Sequence, residues 1–401
     1  MWLWRAVGMM SVAPILSAQP RFQQQFDLAT PSHAASYTES AGVGYEKSAF
    51  GAPPYYFSVR VPEEGNYRVT VKFGDAAEAT STTVKAELRR LMLERVDTQP
   101  GQFVSRTFIV NVRRPRIAGG GEVRLKDREK GSEAWAWDDK LTLEFTNQRP
   151  GAVAIDIEKT DELPTLFIVG DSTSTDQPLE PFNSWGQMIT AFFKPDIGVA
   201  NHGESGESLR SFIGERRWAK VMSVVRRGDF MLIQMGHNDQ KEKGEGVGAM
   251  TTYKADLKRM VNEARERGVT PIVVTSMNRL TFGSDGKVVN SLGDYPEAVR
   301  EVAAEEHVAL VDLNAMSKLF YEALGPADAH LAFAGKDTTH HDNYGSYELA
   351  KCVAQALKDA KSPLVDHLVD LPGFDPARPD PVGSFSIPAE TSGKTETPYG
   401  K

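Results

Sequence analysis

Two folds in series are predicted for this chain: an all-β sandwich over residues 22–160, then a parallel-sheet α/β domain over residues 163–362. Three observations predict this arrangement. Short alternating segments separated by Gly- and Pro-rich breaks fill the first part, with no long helical pattern. From Leu163-Pro164 onward, apolar runs alternate with amphipathic stretches. The length, 401 residues, is enough for two buried cores.

In the first part, residues 55–61 and 67–73 alternate apolar and polar side chains around the turn cluster Pro62-Glu63-Glu64-Gly65-Asn66, and so read as a hairpin. Residues 80–88, 103–112, 141–145 and 153–157 continue in the same style, with breaks such as Ala118-Gly119-Gly120-Gly121. In the second part, residues 166–169, 230–234, 271–275 and 309–311 read as buried parallel strands, and 197–200 is a further short apolar run that ends at a motif. Residues 253–267 form an amphipathic helix pattern stopped by Gly268. A site in such a sheet is expected beyond the carboxyl ends of its strands. Residues 372–401, rich in Pro, Gly, Ser and Thr, are expected to be an extended or disordered tail.

Bulk composition narrows the function classes. The chain is 40% hydrophobic and 25% charged, with a formal net charge of -8, which argues against a nucleic-acid partner. The single cysteine, Cys352, excludes an intramolecular disulfide and falls in an apolar helical pattern, as a small buried residue would. Residues 1–18 read as a secretory signal: Arg5 precedes a short apolar run, and Ser17-Ala18 supplies small residues near a cleavage point. Export is therefore expected. That run is short and broken by Pro14, and no later stretch is apolar enough to cross a bilayer, so no membrane partner is expected. Oligomeric state is left open.

Four motifs carry chemistry, all in the second part. The run 166–169 leads directly into Gly170-Asp171-Ser172-Thr173. A strand that ends in a tight glycine turn fixes a serine, exposes its hydroxyl and aims main-chain N–H at a developing oxyanion. The plainer reading is a turn whose Ser or Asp caps the next helix. Gly236-His237-Asn238-Asp239 follows the run 230–234, and an Asn amide there is an uncharged oxyanion donor. Ordinary Asn/Asp turn chemistry is its alternative. Asn201-His202-Gly203-Glu204-Ser205-Gly206-Glu207-Ser208-Leu209-Arg210 follows 197–200, where a glycine lets backbone approach a substrate. Asp337-Thr338-Thr339-His340 precedes the helix that begins near Asn343. Its spacing lets the carboxylate hold one imidazole nitrogen while the other accepts a serine proton. Two plainer readings attach to it: a cap by Asp342 or Asn343, and a metal site of Asp337, His340, His341 and Asp342. His341 is a rival base, and the spacing favours His340. Together the motifs supply the parts needed for acyl transfer. The Gly-x-Ser-x-Gly elbow of the α/β-hydrolases is absent.

In order and content these motifs resemble the SGNH/GDSL hydrolase superfamily over roughly residues 163–361, with Ser172, Gly206, Asn238 and His340 at its four marker positions. Gly170-Asp171-Ser172-Thr173 and its companions are most similar to the rhamnogalacturonan acetylesterase branch, whose bacterial members often carry a galactose-binding-like β-sandwich in front. The resemblance implies a flavodoxin-like α/β/α domain with no metal and no organic cofactor. It implies Ser172 as nucleophile, His340 as general base and acid, and Asp337 as its orienter. Ser172 N–H, Gly206 N–H and the Asn238 side chain would form the oxyanion hole, and the substrate would be acetylated pectin. His202 and Glu204 receive no role. The same machinery would serve an acetylxylan esterase, a lipase or a thioesterase, although the polar loops (Asn201, His202, Glu204, Glu207, Arg210, Gln240, Lys241) favour a sugar. A non-catalytic carbohydrate binder is the third reading, with Tyr55, Tyr56, Trp135 and Trp137 either stacking on sugar rings or filling the core.

Overall fold

The computed structural model describes residues 22–28, 35–46, 54–385 and 387; the expected export signal lies outside them. The sandwich contains β1 (Gln23–Asp27), β2 (Val43–Tyr45), β3 (Tyr55–Arg60), β4 (Gly65–Gly74), β5 (Thr80–Ala86), β6 (Arg90–Thr98), β7 (Phe103–Val112), β8 (Lys140–Arg149) and β9 (Ala152–Lys159). One antiparallel sheet runs β1-β9-β4-β7 and the other β2-β3-β8-β5-β6. Their inner faces meet at Phe57, Val59, Val69, Val71, Phe73, Leu141, Leu143 and Ile155, all buried.

The expected hairpin of 55–61 with 67–73 is not formed. β3 pairs with β2 and β8, whereas β4 pairs with β7 and β9, so residues 61–64 carry the chain from one sheet to the other. Alternation records which side chains face inward, and both strands do face one core. It does not record the partner strand. β6 was not anticipated because its two faces enter different cores: Met92 and Val96 join the sandwich, and Leu91 joins the core of the second domain.

That second domain has five parallel strands, β10 (Thr165–Gly170), β11 (Gly198–Asn201), β12 (Phe230–Gln234), β13 (Thr270–Val274) and β14 (Ala309–Val311), in the order β11-β10-β12-β13-β14. Around them lie α1 (Trp185–Met188), α2 (Leu209–Gly214), α3 (Arg217–Val224), α4 (Lys254–Glu266), α5 (Tyr295–Glu306), α6 (Leu313–Asp328) and α7 (Asn343–Asp359). Alternate residues of β10 enter two separate cores. Leu166 and Ile168 pack with Trp185, Phe320 and Leu349; Phe167 and Val169 pack with Phe212, Leu257 and Val299. The domain is therefore the three-layer α/β/α architecture expected. Because β10 lies between the next two strands in the chain, its crossovers diverge and open a crevice at its carboxyl end.

Residues 372–385 hold no strand and only one short helical turn, Val382–Ser384, and they are docked; of the rest of the expected tail only residue 387 is among the described residues. Phe374 and Phe385 pack against the α7 side of the core, and Tyr344 Oη donates to the Asp380 carbonyl at 2.7 Å. Two aromatic anchors outweigh the local Pro and Gly content. Among the described residues no helix is long and apolar enough to cross a membrane.

The two domains meet through buried polar contacts. Arg90 donates to the Val199 carbonyl at 2.9 Å, Asn66 Nδ2 to Thr165 Oγ1 at 2.8 Å, and Lys220 pairs with Glu64 at 2.6 Å. Arg217 grips Glu129 with two bonds of 2.9 and 2.6 Å.

Candidate active site

β10 ends in a turn that its own sequence closes. Ser174 N and Thr175 N donate to the Asp171 carbonyl at 3.1 and 3.0 Å, and Asp171 Oδ1 accepts from Thr173 N and Oγ1 at 2.9 and 2.7 Å. A Cβ on Gly170 would lie 1.9 Å from Ser174 Oγ and 3.0 Å from the Gln234 carbonyl oxygen, so this close approach favours glycine. The turn leaves Ser172 at the carboxyl end of the sheet, 4% exposed.

Ser172 Oγ is 2.8 Å from His340 Nε2, and His340 Nδ1 is 3.0 Å from Asp337 Oδ2. The other carboxylate oxygen, Oδ1, accepts from Thr339 N at 2.7 Å and His340 N at 3.0 Å. Burial opposes ionisation of Asp337, but the His340 imidazole and these two N–H groups outweigh it and hold the carboxyl well below the usual range. The neighbouring imidazole faces elsewhere: His341 Nε2 bonds Tyr321 Oη at 2.6 Å, and the ring packs on Phe333. Burial pushes the His341 pKa down to about 3. Asp342 caps α7 by accepting from Gly345 N at 2.9 Å. The cap and the Asp337–His340 pair thus coexist on one turn, and the four residues of the metal alternative do not converge.

The expected oxyanion donors lie on the loops after β10, β11 and β12. Among the described residues, neither Ser172 N–H nor Gly206 N–H donates to a protein group. Asn238 Nδ2 spends one hydrogen on the Glu207 carbonyl at 3.0 Å and keeps the other. Gly206 has φ +82°, a conformation that favours glycine. On the same rim, Lys241 Nζ bonds Asn238 Oδ1 at 3.1 Å, and Arg279 bonds Gln240 Oε1 at 2.9 Å and the His237 carbonyl at 3.2 Å.

Sequence reasoning missed several supports. His237 draws no role from its place in the motif, yet its Nδ1 faces Asp171 Oδ2 at 3.5 Å while its Nε2 donates to the Met277 carbonyl at 3.0 Å. Burial pushes the Asp171 carboxyl up, but His237 and Thr173 outweigh it and the pKa is lowered. Asp171 and His237 each lie within a motif, which was the available signal. Gln177, in no motif, donates to the Ser172 carbonyl at 2.6 Å. His202 is buried between Trp137 and Phe167 at the domain seam, where burial pushes its pKa well down. Glu204 pairs with Arg128 of the sandwich. Of the sandwich aromatics, Trp137 is buried under Arg113, and Trp135 and Tyr56 form a half-buried pair 5.2 Å apart.

Chemically, this set supplies a serine hydroxyl, an adjacent base with an ionised orienter, and unspent donors on the loops after the neighbouring strands. The comparisons point the same way. The profile of the GDSL-like lipase/acylhydrolase family matches residues 168–346. A relative from Bacillus subtilis named rhamnogalacturonan acetylesterase RhgT is 36% identical over 52% of this chain and 95% of its own length. The probable rhamnogalacturonan acetylesterase YesY from the same organism is 33% identical over 51% of this chain and 97% of its own. The crystal structure of Bacillus subtilis YxiM shares the fold with a TM-score of 0.50 and 22% identity, covering 85% of this chain and 99% of that one. A serine, an imidazole and a carboxylate in line at the end of a 2-1-3-4-5 parallel sheet, with relatives spanned almost end to end, lead to one conclusion: the chain belongs to the GDSL-like lipase/acylhydrolase (SGNH) family of ester hydrolases.

Proposed function

We propose that this protein removes O-acetyl groups from acetylated rhamnogalacturonan, an acidic plant cell-wall polysaccharide, through an acetyl-serine intermediate. The observation that carries the reading is the continuous line from Ser172 Oγ through His340 to Asp337, at 2.8 and 3.0 Å. Ser172 Oγ attacks the acetyl carbonyl as its proton passes to His340 Nε2. The tetrahedral oxyanion takes the N–H groups of Ser172 and Gly206 and the free hydrogen of Asn238 Nδ2. Collapse breaks the ester bond, and the sugar oxygen leaves with the proton from His340. Water, deprotonated by His340, then attacks the acetyl-serine, and acetate departs as Ser172 regains its proton.

The sugar preference is supported by the names of the relatives and by the rim. Lys241 and Arg279 place two cations within reach of Asn238 and His237, where they suit the carboxylates of a galacturonate backbone. A polymer too large to enter a cell also fits the export expected from residues 1–18. The test is acetate release from acetylated rhamnogalacturonan, acetylated homogalacturonan and acetylxylan by the wild type and Ser172→Ala. The reading expects the rhamnogalacturonan to be hydrolysed fastest and the variant to be folded but inactive. Equal rates on acetylxylan would overturn the substrate, and an active Ser172→Ala would overturn the mechanism.

A further inference from the structure

We propose that the β-sandwich completes the active site by clamping the peptide that supplies one oxyanion donor, with Lys126 and Arg128 as positioning residues. The inference rests on the esterase reading above. Residues 204–207 form a turn closed by Glu207 N donating to the Glu204 carbonyl at 3.3 Å. Gly206 has φ +82° and Ser205 lies outside the left-handed region, which makes this a type II turn. Types I and II differ by turning the central peptide over. Here that peptide is Ser205–Gly206, and its N–H belongs to Gly206.

What holds the peptide in one of its two orientations comes from the other domain. Lys126 Nζ donates to the Ser205 carbonyl at 2.8 Å, and Arg128 Nη2 donates to the same oxygen at 2.5 Å. Among the described residues, these two side chains alone hydrogen-bond that carbonyl. Because a trans peptide points its carbonyl and N–H in opposite directions, fixing the oxygen on the sandwich side directs the N–H away from it. Two cations on the oxygen also polarise the peptide and strengthen its N–H as a donor.

The clamp is itself anchored. Lys126 also pairs with Glu207, and Arg128 with Glu204, so each cation ties the turn at a second point. Between them Glu129 accepts from Lys126 N at 2.8 Å, Trp137 Nε1 at 2.8 Å and Arg217 of α3 at 2.9 and 2.6 Å. Neither cation lies within the residues matched by the family profile, 168–346.

Lys126→Met, Arg128→Met and the double variant of the full chain, assayed on 4-nitrophenyl acetate, test the proposal. The double variant is expected to lose about 10- to 100-fold in kcat with KM within about twofold, because a misdirected donor costs part of what a deleted one does. Affinity for phenylboronic acid, whose tetrahedral serine adduct places an oxygen in the same hole, should fall in parallel. Lys126→Arg and Arg128→Lys should retain most of the turnover. A folded double variant with unchanged kcat, or one whose loss lies wholly in KM, overturns the clamp. Should the double variant fail to fold, Lys126→Gln, at a side chain 24% exposed, is read by the same criteria. Wild type that is inactive on every acetyl ester would remove the esterase reading and this inference with it. Wild type that is active and dependent on Ser172, beside an equally active double variant, would remove the clamp alone.

Discussion

Asp337→Asn isolates the orienting role of one oxygen atom. Oδ1 accepts the two backbone N–H groups of Thr339 and His340, whereas Oδ2 faces His340 Nδ1. An asparagine that keeps its oxygen on the backbone side preserves the turn and presents an NH2 to the imidazole. Two donors cannot face each other, so the ring shifts its proton to Nε2. That nitrogen then donates to Ser172 Oγ across the 2.8 Å contact and cannot take the serine proton. At a serine–histidine–aspartate site this change costs about 10⁴-fold in turnover, about 5.4 kcal/mol of barrier. The fold should lose much less, about 1–2 kcal/mol, because the backbone bonds survive on a neutral acceptor. The assay is kcat for acetate release at pH 7–8 beside a thermal melt. A variant retaining more than about a tenth of wild-type kcat would refute the tautomer argument, as would a loss matched by unfolding.

Two further outcomes follow from the electrostatics. Burial, reinforced by the charge of Asp171, pushes the Asp239 carboxyl up to about 8 despite the Leu209 N–H bond. Because the folded pKa is raised, the folded state keeps a proton that the unfolded chain loses, so stability falls as pH rises from about 4 to about 8. Asp239→Asn keeps the Leu209 bond and removes the titration. Its advantage over wild type should grow by up to about 1.4 kcal/mol per pH unit across that window and then level off; denaturant melts showing no growth would contradict the assignment. On the rim, Lys241→Gln or Arg279→Gln should raise KM for acetylated rhamnogalacturonan by about two- to fivefold at low salt and leave acetylxylan unaffected. An equal rise on the neutral polymer would show that these cations do not read a uronate.

What could be read along the chain was whatever local pattern encodes. Phe230–Gln234, Phe103–Val112 and Ala309–Val311 are strands at the bounds their residues imply, because an apolar run between turn signals states its own burial. Pairing was not legible. Tyr55–Arg60 and Gly65–Gly74 both turn Phe57, Val69 and Phe73 inward, and identical alternation serves a hairpin or two facing sheets. Arg90–Thr98 escaped notice because its outward Leu91 is buried by the other domain, which erases the alternation.

The site divides along the same line. The contacts among Ser172, Asp337 and His340 were legible because they rest on spacing within one turn or at one strand end, and the sheet then brings a serine and an imidazole 168 positions apart into contact. Lys126 and Arg128 were not, because a Lys and an Arg on a charged loop carry no spacing signal toward Ser205, 79 and 77 positions away. Their partners Glu204 and Glu207 looked equally anonymous until burial made their charges costly. Ions are not buried for stability alone, since apolar packing of the same volume is often as stable. Buried pairs that also hold a main-chain carbonyl do something apolar packing cannot: they choose between two orientations of one peptide. By the clamp proposed above, the sandwich takes part in the active site and is more than an appended domain.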